Sequence, residues 1–164
     1  MLRLLIMLRR LRQQRGLGRP SAGSVAVRLV DAGSCNGCEH ELNALGGPYY
    51  DVARLGVNVV ASPRHADLLL VTGSITSAMV DPLRHAYESM PEPRRVVALG
   101  NCALGVDLLG SPEVCGSGVG AVLPVDITIA GCPRTPEVIA VALADLTGHG
   151  PSSAADDHLG GTQQ

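Results

Sequence analysis

Apolar positions along this chain follow two periods that alternate. Runs with the two-residue period of a strand, or continuous apolar runs, occur at "SVAVRLV" (24–30), "VNVVAS", "DLLLVTG", "RRVVALG" (94–100) and "VDITIAG" (125–131). Between them lie stretches with helical spacing: residues 38–46, "SAMVDPLRHAYESM" (77–90) with Pro82 near its start, and "TPEVIAVALADLTG". In the last of these, Thr135 is placed to cap the helix, Pro136 to occupy its first turn and Gly148 to end it. "DLLLVTG" is almost wholly apolar, the mark of a strand buried on both faces. Strands and helices in alternation predict an α/β fold, a mostly parallel sheet with helices on both faces.

The ends of the chain read differently. Placed at helical spacing, Leu4, Met7, Leu8 and Leu11 share one face, and Arg9, Arg10, Arg12 and Gln13 lie mostly opposite. Residues 1–21 are therefore expected to be a basic amphipathic segment and linker: a helix lying on a membrane surface or partner subunit, or a solvated extension. Residues 22–148 form the expected α/β domain. Residues 149–164, His149 and Gly150 followed by "PSSAADDHLGGTQQ", are mostly small and polar and predict a disordered tail.

Charge reinforces that division. All 13 basic residues are Arg, and six of them precede residue 20, where there is no acidic residue; the other seven face 15 acidic residues in the rest of the chain. The core must be aliphatic, since the chain has no Trp or Phe and three Tyr. That scarcity also argues against nucleic acid as a partner through base stacking. No run approaches the 18 or so apolar residues of a membrane-spanning helix. "LLIML" is too short for the apolar core of an export signal, and no hydrophobic stretch follows the Arg9-Arg10 pair. A reducing cytoplasmic setting is expected, in which functional thiols are ligands or redox groups.

Five cysteines then carry the chemistry. Cys35 and Cys38 stand in "GSCNGCEH", just past the first strand. Cys102 follows the strand "VVALG", and Cys132 follows "TIAG". Ligands of doubly wound sheets gather beyond the carboxyl ends of the strands. Three strands thus deliver four cysteines to one edge, a tetrathiolate site. Gly33, Gly100 and Gly131 precede these cysteines and Gly37 separates the first two, so backbone N–H groups can approach sulfur closely. Pro133 after Cys132 resembles the Cys-Pro ending of cluster-binding loops. These features favour a cubane iron–sulfur cluster over zinc, whose structural tetrathiolate sites generally use two paired knuckles. A thioredoxin-like Cys-x-x-Cys also follows a strand, but it leaves Cys102 and Cys132 unexplained. Cys115, in a loop, reads as a small apolar side chain.

The blocks "GSCNGCEHEL", "SPRHADLLLVTGSITSAM", "MPEPRRVVALGNCA" and "LPVDITIAGCPRTPE" resemble the small subunit of membrane-associated, energy-converting [NiFe] hydrogenases, including formate hydrogenlyase. They equally resemble the homologous 20 kDa subunit of respiratory complex I, the NADH-quinone oxidoreductase. The resemblance spans about residues 22–147. It implies a flavodoxin-like three-layer fold and one [4Fe-4S] cluster on Cys35, Cys38, Cys102 and Cys132. Complex I subunits usually present adjacent cysteines at the first site; here Asn36 and Gly37 separate them, as in the hydrogenase branch. Two departures stand out: Cys132-Pro133-Arg134 replaces the usual Cys-Pro-Pro, and "ALGVDLLG" replaces a Ser/Gly-rich turn.

The function implied is an electron-transfer subunit of a multisubunit oxidoreductase, not catalytic alone. It would pass single electrons between a hydrogenase-type large subunit and a ferredoxin-like iron–sulfur subunit, on the cytoplasmic face of the membrane. Membrane-embedded subunits would be met through the N-terminal segment. The alternatives are a complex I-like subunit passing electrons to quinone, or a free-standing thiol oxidoreductase. Glu39 matches an acidic position of the hydrogenase branch; it is a proton relay or partner contact, or else an exposed carboxylate favoured by the helix dipole. His40, His65 and His85 lack metal-ligand spacing, Arg64 and His65 read as a structural turn, and "PEPRR" as a partner-facing loop.

Overall fold

The computed structural model describes residues 23–106 and 118–147. The expectations for the N-terminal helix, Cys115, Gly148 and the C-terminal tail fall outside the described residues. Five strands, β1 (Val25–Asp31), β2 (Val57–Val59), β3 (Leu68–Thr72), β4 (Arg95–Leu99) and β5 (Ile127–Ile129), form one sheet in the order β2-β1-β3-β4-β5. Every pairing is parallel. This is the flavodoxin-like order, and the expectation of a mostly parallel sheet becomes an all-parallel one among the described residues.

The sheet is parallel because its centre has no polar face. Every residue of β3 is buried, and its side chains divide by the two-residue period of a strand. Leu68 and Leu70 join Val97 and Leu99 of β4 on one face, with Leu42 and Leu45 of α1 (Gly37–Leu45) and Ile139, Ala140 and Leu143 of α3 (Pro136–Leu146). Leu69 and Val71 join Val96 and Ala98 on the other, under Leu83 of α2 (Val80–Glu88). Aliphatic side chains therefore fill both layers, as a chain without Phe or Trp requires. The path runs outward from β1 to β2, then returns past β1 to β3. Since parallel crossovers keep one hand, this reversal puts α1 and α2 on opposite faces. It also opens a crevice beyond the carboxyl ends of β1 and β3.

Element ends differ from the sequence expectation for local reasons. β2 and β5 have three residues each, shorter than their apolar runs. Both are edge strands with a single neighbour, and Val59 of β2 is 64% exposed. A 3₁₀ turn, Ser77–Met79, precedes α2. Thr135 occupies the N-cap position of α3 with Pro136 in the first turn, yet its side chain makes no capping bond. Two strands begin with the same device. The Asp67 carboxylate accepts the Ala26 N–H at 2.9 Å while the Asp67 N–H donates to Ala26 O at 2.8 Å. Asp126 brackets Val96 in the same way, at 2.7 and 3.0 Å.

Leu70→Ala is expected to destabilise the chain by about 2–5 kcal/mol, because it leaves a cavity between α1, α3 and the sheet. Val59→Thr, on the exposed edge, should change stability by about 0.5 kcal/mol or less. Chemical denaturation of both variants checks the pair; equal effects would place the core elsewhere.

Candidate functional site

Beyond the carboxyl ends of β1, β3, β4 and β5 lies a crevice lined by Ser34, Cys35, Gly37, Cys38, Gly73, Asn101, Cys102, Gly131, Cys132 and Pro133. All four cysteines singled out from strand-end positions line it. None of the four is in a disulfide. Cys35 and Cys132 are exposed at its rim, and Cys38 and Cys102 are half-buried. The described histidines, His40, His65 and His85, are exposed and do not line it.

The Cys35–Cys38 loop is built by short polar side chains. As β1 ends, the Asp31 carboxylate accepts the N–H groups of Gly33 and Ser34, both at 2.8 Å, turning the chain sharply. Ser34 Oγ accepts the Asn36 N–H at 3.1 Å and donates to Glu39 Oε2 at 2.7 Å. Glu39 Oε1 accepts the Thr72 hydroxyl from the end of β3. Glu39 is therefore half-buried and held at both oxygens, in the first turn of α1, rather than an exposed helix-start carboxylate. Asp31, Ser34 and Thr72 were not singled out from sequence. Asp31, two residues before a glycine at a strand end, was a readable turn signal, but the Thr72 contact spans 33 positions.

Two glycines let these loops close on one another. Gly73 has φ +77°, and a Cβ there would lie 2.5 Å from Ser34 N, so β3 can end against the cysteine loop only with glycine. Gly100 has φ +89°, and a Cβ there would lie 2.6 Å from Cys38 Sγ. The Cys38 thiol thus rests against the backbone that leads into Cys102. Arg134 folds back against Gly131, whose added Cβ would meet the Arg134 side chain at 2.9 Å. Away from the crevice, Tyr50 donates to Glu137 Oε1 at 2.7 Å, tying the segment after α1 to the first turn of α3. This bond holds the Glu137 carboxyl below its usual range, and burial with the same contact pushes the Tyr50 phenol up to about 12.

Burial raises the Cys38 thiol to about 11, reinforced by Glu39 and by Cys35, Cys102 and Cys132. All three other thiols are therefore within electrostatic reach of it. The Cys38 thiol therefore stays protonated until a cation enters, and metal loading expels that proton. Among the described residues, no three Cys, His, Asp or Glu side chains are close enough to share a single metal ion. Four cysteine thiolates are the donor set of a [4Fe-4S] cluster, and the residues that line the crevice fit such a group by their chemistry.

The folded iron-free chain holds the Cys38 proton more tightly than the unfolded chain, whose thiol titrates near 9.0. Its contribution to stability is present below that value and lost as pH rises through about 11. Alkylation of Cys38 in the iron-free chain, followed by peptide mass spectrometry, should keep accelerating up to about pH 11. A plateau near 9 would contradict the burial.

Comparison with known proteins adds to this geometry. The chain is 42% identical over 110 residues to a probable membrane-bound hydrogenase subunit of Pyrococcus furiosus, covering 67% of this chain and 66% of that one. It is also 42% identical over 119 residues to an NADH-quinone oxidoreductase subunit of Bacteroides thetaiotaomicron, covering 72% and 59%. The chain thus spans less than two thirds of either relative's length. In structure it is similar to a chain of the membrane-bound sulfane sulfur reductase, an archaeal respiratory membrane complex, with a TM-score of 0.66, 29% identity, and 77% and 70% of the two chains covered. The model of the NADH ubiquinone oxidoreductase 20 kDa subunit family matches residues 35–146, from the first crevice cysteine to the last residue of α3, and the chain belongs to that family.

Proposed function

We propose that this chain is the electron-transfer subunit of a multisubunit oxidoreductase and holds one [4Fe-4S] cluster on Cys35, Cys38, Cys102 and Cys132. The observation that carries the reading is that three strand ends bring four cysteines to one crevice. When bound, the cluster supplies a site that takes up and releases one electron at a time. The chain's own groups hold and tune that site. Cys38 and Cys102, half-buried, face the protein, whereas Cys35 and Cys132 mark the open side where a partner subunit would approach. Backbone N–H groups around the glycines, the nearby Glu39 carboxylate and the degree of burial set the potential.

The partner on the open side is proposed to be a hydrogenase-type large subunit, with a ferredoxin-like iron–sulfur subunit completing the path. The two-residue gap between Cys35 and Cys38 favours this branch. A second reading, delivery of electrons to quinone in the manner of complex I, is kept alive by equal identity to relatives of both kinds. Among the described residues no helix is long and apolar enough to cross a membrane. Association with membrane subunits, proposed for the cytoplasmic face, would fall to the N-terminal segment.

Anaerobic reconstitution should load about four iron and four sulfide ions per chain, with a one-electron EPR signal on reduction. Cys102→Ser or Cys132→Ser should cut that content sharply. Unchanged iron in Cys102→Ser, or stoichiometric zinc in place of iron, would defeat the reading. Co-purification of the large partner separates the branches: nickel and hydrogen turnover are expected, while a nickel-free partner with quinone reduction would favour the second reading.

A further inference from the structure

Beyond Leu99 and Ile129, where the β4–β5 register ends, the two chain segments remain joined. Gly100 N–H donates to Ile129 O at 2.8 Å, and Asn101 N–H donates to Gly131 O at 2.9 Å. The Gly131 N–H then has no backbone carbonyl to meet, because Gly100, at φ +89°, has turned the neighbouring segment away. Asn101 Oδ1 takes it at 2.8 Å. One residue thus brackets another with its own N–H and its side-chain oxygen, the device with which Asp67 and Asp126 start β3 and β5. Here it stands at the opposite edge of the sheet, where the bracketing Asn101 immediately precedes Cys102 and the bracketed Gly131 immediately precedes Cys132.

The geometry points to Asn101 as a positioning residue: its side-chain oxygen locks the two single-cysteine loops together and fixes the separation of Cys102 from Cys132. Its chemistry fits the place. Asp67 and Asp126 are exposed, so water hydrates their carboxylates. Asn101 is half-buried and lines the crevice itself. A carboxylate there would add a negative charge beside four thiolates, whereas the amide supplies the same acceptor without it. The inference rests on the cluster reading for its consequence, but the bracket can be tested without iron.

Hydrogen exchange read by mass spectrometry on the full chain, with and without iron and sulfide, gives the first arm. In Asn101→Ala the amide of Gly131 should exchange roughly fivefold faster or more, the loss of one net hydrogen bond. Asn101→Asp, which keeps the acceptor, should restore wild-type protection. In the loaded chain, Asn101→Ala should lose iron faster in air. Asn101→Asp should hold iron like the wild type but show a lower midpoint potential. Wild-type exchange at Gly131 in Asn101→Ala overturns the bracket, as does failure of Asn101→Asp to restore it. Equal iron retention in all three chains, or an unchanged potential in Asn101→Asp, overturns the positioning role. A wild-type chain that binds no iron sinks the cluster reading, and the exchange arm still decides the bracket.

Discussion

Four cysteines in one crevice are an electrostatic problem before they are a binding site. As thiolates they repel one another, and the half-buried Cys38 also faces Glu39; burial first and these neighbours second push its thiol up to about 11. Such a set is tolerable only when neutral or when cations offset it. The fold therefore stabilises the crevice by means other than the cysteines. The Asp31 carboxylate gathers two N–H groups, the Ser34–Glu39–Thr72 chain joins α1 to the end of β3, and Asn101 holds Gly131. The thiols are held in place by loops that close through these hydrogen bonds of their own.

Those loops are accurate because the sheet beneath them is rigid. β3 and β4, at its centre, bury aliphatic side chains in both layers, so neither can shift register without disturbing two cores at once. The strand order adds the opening. The reversal between β1 and β3 leaves a gap at the carboxyl edge, and β4 and β5 extend that edge to Cys102 and Cys132. Gly73 and Gly100 let backbone approach backbone and sulfur where any Cβ would collide. Site and scaffold are thus one construction, with the buried strands fixing where each loop begins.

The central strands were legible because "LLLVT" and "RVVAL" are buried on both faces and so announce themselves by composition. The cysteines were legible because Cys35, Cys102 and Cys132 each stand shortly after a strand-like run, with Cys38 three positions past the first. The order of the strands was not, since pairing is decided by contacts across the whole chain; the edge strands β2 and β5, with one neighbour each, ended sooner than their apolar runs. The Thr135 cap was expected from residue type alone, and the α3 terminus uses Pro136 without it. Least legible were the polar tethers. Glu39 meets Thr72 33 positions away, and Asn101 meets Gly131 at a separation of 30, distances at which one sequence carries no pairing signal.

The most direct measurement of the central claim is an anomalous difference map at the iron edge, from crystals of the anaerobically purified chain. One compact four-iron feature is expected in the crevice, with Sγ of Cys35, Cys38, Cys102 and Cys132 each adjacent to a different iron. A single-metal peak, or iron bound elsewhere with these four sulfurs unliganded, would contradict it.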